Sequence, residues 1–234
     1  LIFDSWDMTK GLDISIQLGA PESMYIVMFV CSLLVQFTHR VILVTLSSVL
    51  TIIALGGVYT LVTDLYLFVD TSIPIAVFLG TLLLITDPIT SPRTRSGQLI
   101  YGVLYGASVV GLYIILRRFG YAGFSDKILF VPVLNLCVRF IDRHIKDRSI
   151  ERLFSSHPRI RKNTVHVGVW IILFPLLLPT IYSHPGKYPI FWEAECELKK
   201  YNACENLTRL YYVYCDRGLH ESCINLGQMW RDGT

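Results

Sequence analysis

The hydrophobic positions of this chain gather into six runs, at about 22–38, 41–62, 72–86, 98–116, 128–142 and 166–183, and each run predicts a membrane-spanning helix. Several are short for a hydrocarbon layer of about 30 Å. Short spans interrupted by Pro or Gly are the mark of discontinuous helices, which line sites more often than they face lipid. The pattern changes at Ser183-His184-Pro185-Gly186, after which the chain is polar, aromatic and rich in cysteine. Three parts are therefore expected: an external N-terminal segment over 1–21, a six-span membrane domain over 22–183, and an external helical module over 184–234.

Composition supports that division. Hydrophobic residues make up 53% of the sequence and mean hydropathy is positive, which excludes a soluble fold and makes the lipid bilayer the chain's first partner. The net charge of +3 carries little meaning in total, and nucleic-acid binding has no support. Read loop by loop, the basic residues His39-Arg40, Arg93, Arg95 and the segment from Arg143 to Lys162 predict cytoplasmic loops, so both termini fall outside the cytoplasm of a bacterial plasma membrane. The loop holding Arg117, Arg118 and Lys127 runs against this rule, partly offset by Asp126. The chain starts with Leu and shows no signal-peptide pattern, which points to a processed or partial chain and leaves room for an upstream repeat.

Between the third and fourth runs lies Thr86-Asp87-Pro88-Ile89-Thr90-Ser91-Pro92, a carboxylate and two prolines where a membrane helix ends. Intramembrane ionisable residues are functional candidates by default. Each proline removes a backbone donor, so freed carbonyls need partners from Thr90, Ser91, water or a ligand. Two readings stand side by side: Asp87, Thr90 and Ser91 as helix-start residues, or as hydroxyls and charge presented to a group within the membrane. Gly102 and Gly106 have the small-xxx-small spacing that admits either a helix or a flat cofactor. Asn135, Arg139 and Asp142 share one helical face, with the last two within ion-pair reach. Cys31 and Cys137 read as small hydrophobes within spans.

This motif, with Gly97-Gln98-Leu99-Ile100-Tyr101-Gly102, Gly106, Phe119-Gly120-Tyr121 and the closing helix through Asn135 to Ile141-Asp142-Arg143, resembles the family of the D subunit of the Rnf electron-transport complex and the B subunit of the sodium-pumping NADH:quinone reductase. The resemblance covers about residues 20–162, the second of the family's two membrane repeats. It implies a polytopic bundle and a redox ligand near Asp87, Thr90, Ser91, Gly102, Gly106 and Asn135. The Ser/Thr-Gly-Ala-Thr sequence that carries covalent FMN in the family is not in this chain, and Arg139 stands where the closing helix usually has Pro. Covalent flavin is not expected, and non-covalent flavin or quinone is. Haem has no Cys-x-x-Cys-His motif to hold it, and no metal site is expected.

In the tail, Cys196 and Cys204, then Cys215 and Cys223, repeat one spacing, and each second cysteine is followed two positions on by Asn-Leu. This is an internal repeat. A helix ending near Cys196, a turn at Lys200 to Asn202 and a second helix would let each pair staple two antiparallel helices, Cys196 to Cys204 and Cys215 to Cys223. Zinc is the rival use of four cysteines, and the gap of seven residues suits it poorly. Disulfides imply an oxidising compartment, which agrees with the predicted outside location. The run Cys223-Ile224-Asn225-Leu226-Gly227-Gln228-Met229-Trp230 resembles the cysteine-rich Sel-type, tetratricopeptide-like repeats. The Asn206-Leu207-Thr208 sequon reads as a helix interior, and the aromatics Tyr188, Phe191, Trp192, Tyr201, Tyr211, Tyr212, Tyr214 and Trp230 predict a face for an external protein partner.

The fold class is all-α: a transmembrane bundle with a small disulfide-stapled external module. Two functions follow. One is a membrane subunit of an electron-transfer complex that binds flavin or quinone or scaffolds other membrane subunits, without substrate chemistry of its own. The other is a redox-silent anchor whose external helices hold a partner protein.

Overall fold

The computed structural model describes residues 23–39, 41–69, 71–87, 90–118, 130–144, 159–200, 202–216 and 218–232. The predicted N-terminal segment, most of the basic loop after Arg143, Tyr201, Pro88 and Ile89 lie outside the described residues. The described residues are all-α, with no strand among them. The six apolar runs are helices α1 (Ser23–Thr38), α2 (Ile42–Thr63), α3 (Ile75–Leu79, continuing as a π-helical turn over Gly80–Leu84), α4 (Arg95–Arg118), α5 (Phe130–His144) and α6 (Arg159–Tyr182). Three segments among them are long and apolar enough to cross a membrane: Ile42–Thr63, Arg95–Leu116 and Val167–Lys187. The stretch Ile75–Leu84 is apolar but too short to span, since ten helical residues rise about 15 Å, half the hydrocarbon thickness. The tail folds as a 3-10 turn (Pro185–Lys187), α7 (Pro189–Glu197), α8 (Ala203–Asp216) and α9 (His220–Asp232).

The chain forms two compact units, one from Leu1–Leu55 with Ile73–Leu176 and the other from Gly56–Ser72 with Leu177–Thr234. The first is organised around aromatic side chains: Phe29 of α1 stacks on Phe174 of α6 at 3.8 Å, and Phe78 of α3 and Trp170 of α6 close around them. Tyr25, at the start of α1, donates its hydroxyl to the carbonyl of Ile73 at 2.8 Å, which fixes where α3 begins. Helices α2 and α4 approach closely at two glycines of α4. A Cβ on Gly102 would fall on Ser47 Oγ and the Val44 carbonyl, and one on Gly106 would come within 2.8 Å of the Ser48 carbonyl. Backbones this close need residues without side chains at the crossing.

In the second unit the end of α2, the loop 64–72 and the end of α6 pack with the tail. Leu65 and Val69 of the loop share one core with Trp192, Ala203, Leu207, Leu210, Tyr211 and Leu226. Ser72 donates to the Thr180 carbonyl at 2.7 Å, Lys200 pairs with Glu195 at 2.6 Å and reaches Asp64 at 3.8 Å, and Tyr66 lies edge-on to His184. Two hairpins complete the unit. At the first, Lys199 takes a left-handed φ of 53°, and at the second Gly218 takes 86°, each three residues after a cysteine. At both turns the next residue's N–H reaches five back, Lys200 to Glu195 and Leu219 to Tyr214, so the same helix stop is built twice. Disulfides Cys196–Cys204 and Cys215–Cys223, both with Cα atoms 4.7 Å apart, close the two turns.

The core explains the tail's aromatic content. Trp192 and Tyr211 are buried, and Phe191, Tyr212 and Tyr214 pack against that core. Trp192 donates its indole N–H to the Gly186 carbonyl at 2.7 Å, and Tyr214 donates to the Lys187 carbonyl. Tyr188 and Trp230 remain largely exposed. Part of the burying surface, Leu65 and Val69, comes from loop 64–72, more than a hundred residues upstream, which a reading of the tail by itself leaves out. Asn206 is buried within α8, as a helix-interior residue should be.

Candidate functional site

The break between α3 and α4 begins inside α3. The π turn carries the N–H of Ile85 back to the Gly80 carbonyl at 3.1 Å, one residue further than an α-helical bond. The widened turn lets a second helix reach its backbone: Thr45 of α2 donates its hydroxyl to the Thr81 carbonyl at 3.2 Å, and Gln36 of α1 donates to Thr45 Oγ1 at 3.3 Å. All three residues are fully buried. A polar thread thus crosses three apolar helices. Sequence reading passed over Gln36 and Thr45, although one glutamine in an otherwise apolar helix requires a protein partner.

The motif closes into a compact turn. The N–H groups of Thr90 and Ser91 both reach the Asp87 carbonyl, at 3.2 and 2.9 Å. Thr90 donates its hydroxyl to Asp87 Oδ2 at 3.3 Å, and Ser91 donates to the Ile85 carbonyl at 2.9 Å. Gln98 of α4 holds the Pro92 carbonyl at 3.1 Å. Ser91 and Gln98 are buried, and Asp87 is half-buried. Of the hydroxyls expected to serve a ligand, that of Ser91 thus satisfies a backbone carbonyl at the break and that of Thr90 the Asp87 carboxylate.

Thr94 caps α4 by accepting the Gly97 N–H at 3.1 Å. The Asp142 carboxylate, at the end of α5, accepts the N–H of Arg93 at 3.2 Å and the Thr94 hydroxyl at 3.3 Å. A negative charge at a helix N-terminus is favourable for the helix dipole. Asp142 therefore turns to the loop ahead of α4, whereas Arg139, its expected ion-pair partner, is exposed. The sequence placed the two on one helical face; the α4 N-terminus offers the carboxylate several aligned donors, against one flexible cation.

Asn135 meets α4 from α5. The Tyr101 hydroxyl donates to Asn135 Oδ1. The structure thus joins Thr90 and Ser91 to Asp87 in the turn and, separately, Asn135 to Tyr101 between α5 and α4. Gly102 and Gly106 are turned to α2, and their close approach serves helix packing. With Oδ1 engaged, the Asn135 amide N–H groups have no hydrogen-bond partner among the described residues. Cys31 and Cys137 are free and exposed. No group of three or more His, Cys, Asp or Glu side chains among the described residues is arranged to hold a metal ion.

Residues 3–151 match the NQR2, RnfD, RnfE family, well over half of the chain. The chain belongs to this family. Among its relatives, the D subunit of the ion-translocating oxidoreductase complex of Tolumonas auensis is 40% identical over 74 residues, 31% of this chain and 20% of the relative. The proteins of the same name from Vibrio atlanticus and Aeromonas hydrophila are 39% identical over 75 residues, covering 32% and 20%, and 43% identical over 68 residues, covering 29% and 18%. The matched region spans about a fifth of the length of these curated relatives. No solved structure matches the chain. Family membership and the apolar helices make this a membrane protein.

Proposed function

We propose that this chain is a membrane subunit of an ion-translocating oxidoreductase complex, the assembly that its relatives' names state for them. The finer reading is that Asp87, Thr90, Ser91 and Asn135 hold a non-covalent flavin or quinone. The observation that carries it is Asn135: a half-buried amide on α5 whose oxygen accepts from the Tyr101 hydroxyl and whose N–H donors have no partner among the described residues. A half-buried amide donor is satisfied where something accepts from it. A flavin or quinone ring carbonyl is an acceptor of the right kind. Such a group would supply the electron-carrying chemistry, and the chain would bind it and set its surroundings. Gly102 and Gly106 do not fit that role, because α2 fills the space beside them.

The test is an absorption spectrum of the purified protein followed by redox titration of Asn135→Leu and Asp87→Asn. Loss of the ligand or a shifted midpoint potential in a protein that still inserts and assembles is the expected outcome. A wild type without flavin or quinone would end this reading.

In that case the second reading stands: a redox-silent anchor whose external module docks a partner protein. The exposed Tyr188 and Trp230 favour it. Orientation belongs to the proposal as well. With basic loops inside and disulfides in an oxidising compartment, a bacterial plasma membrane with both termini outside accounts for both. A reporter fused after Thr234 should be active outside the cytoplasm, and one near Ser155 inside.

A further inference from the structure

Helix α5 carries a stripe of largely exposed side chains. Val133, Leu136, Phe140 and Arg143 follow one another at steps of three, four and three residues, which places them along one side of the helix. Leu136 is 83% exposed and Phe140 65%. At the C-terminal end of the stripe Arg139 and Arg143 are exposed, and Arg93 is exposed on the loop whose backbone is bound by Asp142. None of the three arginines pairs with a carboxylate among the described residues. Asp142, the nearest acid in sequence, has its carboxylate taken up by the Arg93 and Thr94 groups.

We propose that this end of α5 binds the headgroup of an anionic phospholipid, with its acyl chains lying along Val133, Leu136 and Phe140. The dimensions agree. The ten residue steps from Val133 to Arg143 rise about 15 Å, the hydrocarbon depth of one leaflet. The cations therefore stand at headgroup level when the apolar stripe lies among the chains of that leaflet. Guanidinium groups suit a phosphate because they donate in pairs to its oxygens. A zwitterionic lipid offers the same chains but cancels the phosphate charge, so three exposed arginines with no carboxylate partner among the described residues select an anionic headgroup.

The experiment uses the full chain in detergent, titrated with phosphatidylglycerol, phosphatidylcholine or inorganic phosphate, with thermal unfolding and native mass spectrometry as readouts. Phosphatidylglycerol should raise the unfolding midpoint and remain bound as an adduct, and the other two should do neither. Arg139→Gln combined with Arg143→Gln should lose both effects. Arg139→Lys with Arg143→Lys should keep most of them, and Arg118→Gln, at the opposite end of α4, should keep them all. An equal response to phosphatidylcholine, an equal response to free phosphate, no response at all, or full retention in the glutamine variant would each overturn the proposal.

Discussion

The carboxylate of Asp142 accepts the backbone N–H of Arg93, forty-nine residues earlier in the chain. One side chain at the end of α5 thus holds the loop that precedes α4, together with the Thr94 hydroxyl that caps it. Asp142→Ala should lower stability by about 1.5–3 kcal/mol, the usual range for hydrogen bonds to a charged group. Asp142→Asn, which retains an acceptor, should lose less. Thermal unfolding in one detergent compares them, and an unchanged midpoint in the alanine variant would mean that Asp142 does not anchor the loop.

Helix α4 offers an internal control for its packing. Gly102→Ala places a methyl group against Ser47 and the Val44 carbonyl and should destabilise by about 1–3 kcal/mol. Gly111→Ala, on the same helix, meets nothing within 4 Å and should be neutral or stabilising by up to about 1 kcal/mol. Equal midpoints for the two variants would show that α2 and α4 do not approach as described.

The disulfides should protect loop 64–72 as well as the tail, because the loop shares the stapled helices' core. Replacing Cys196 and Cys204 by Ser should cost about 2–4 kcal/mol and expose the loop to protease. Peptide mapping without reduction reads the pairing directly. Free thiols in the oxidised protein, or a loop equally resistant after reduction, would contradict this arrangement.

Lys199 holds a left-handed φ of 53° where the second hairpin has Gly218. Lys199→Gly should stabilise the tail by roughly 1 kcal/mol, since a side chain costs about that much in this conformation. Chemical unfolding of the whole chain, followed by tryptophan fluorescence, would register the gain. A loss would mean that the lysine side chain contributes more than its backbone costs.

Tyr211 supplies a pH dependence. Burial, and next its hydrogen bond to Glu193, push its hydroxyl up to about 12 from an ordinary 10.0. The folded state therefore keeps this proton more tightly than the unfolded one, and the stabilisation is complete below pH 10, then falls as pH rises towards 12. A difference titration of tyrosinate absorbance between wild type and Tyr211→Phe should reveal one group ionising near the upper value. Ionisation at the ordinary value would place the hydroxyl in water.

The sequence made the helices legible because long apolar runs leave little else possible in a bilayer. The two hairpins were legible from cysteine spacing, since eight positions cover a helix end, a turn and the next helix start. The π turn was not, because nothing local in Gly80-Thr81-Leu82-Leu83-Leu84 distinguishes it from an α-helix. It persists because Thr45, thirty-six residues away, meets its backbone. Around the candidate site, Asp87 and Asn135 stood out as costly residues, but the hydrogen bond of Asn135 to Tyr101 depends on how α4 and α5 pack. Asp142 was visible as a charge at a helix end, and its partner was not, since two elements compete for one carboxylate and only tertiary placement decides.

Loop 64–72 also imposes an order on biosynthesis. Val69 leaves the ribosome long before Leu226, and at about 5–20 residues per second the interval is on the order of ten seconds or more. During that time Leu65 and Val69 have no native core to enter. Helix α9 completes the burial of side chains made about 150 residues earlier, so a nascent chain halted before α9 leaves its own upstream loop greasy and open to chaperones and proteases.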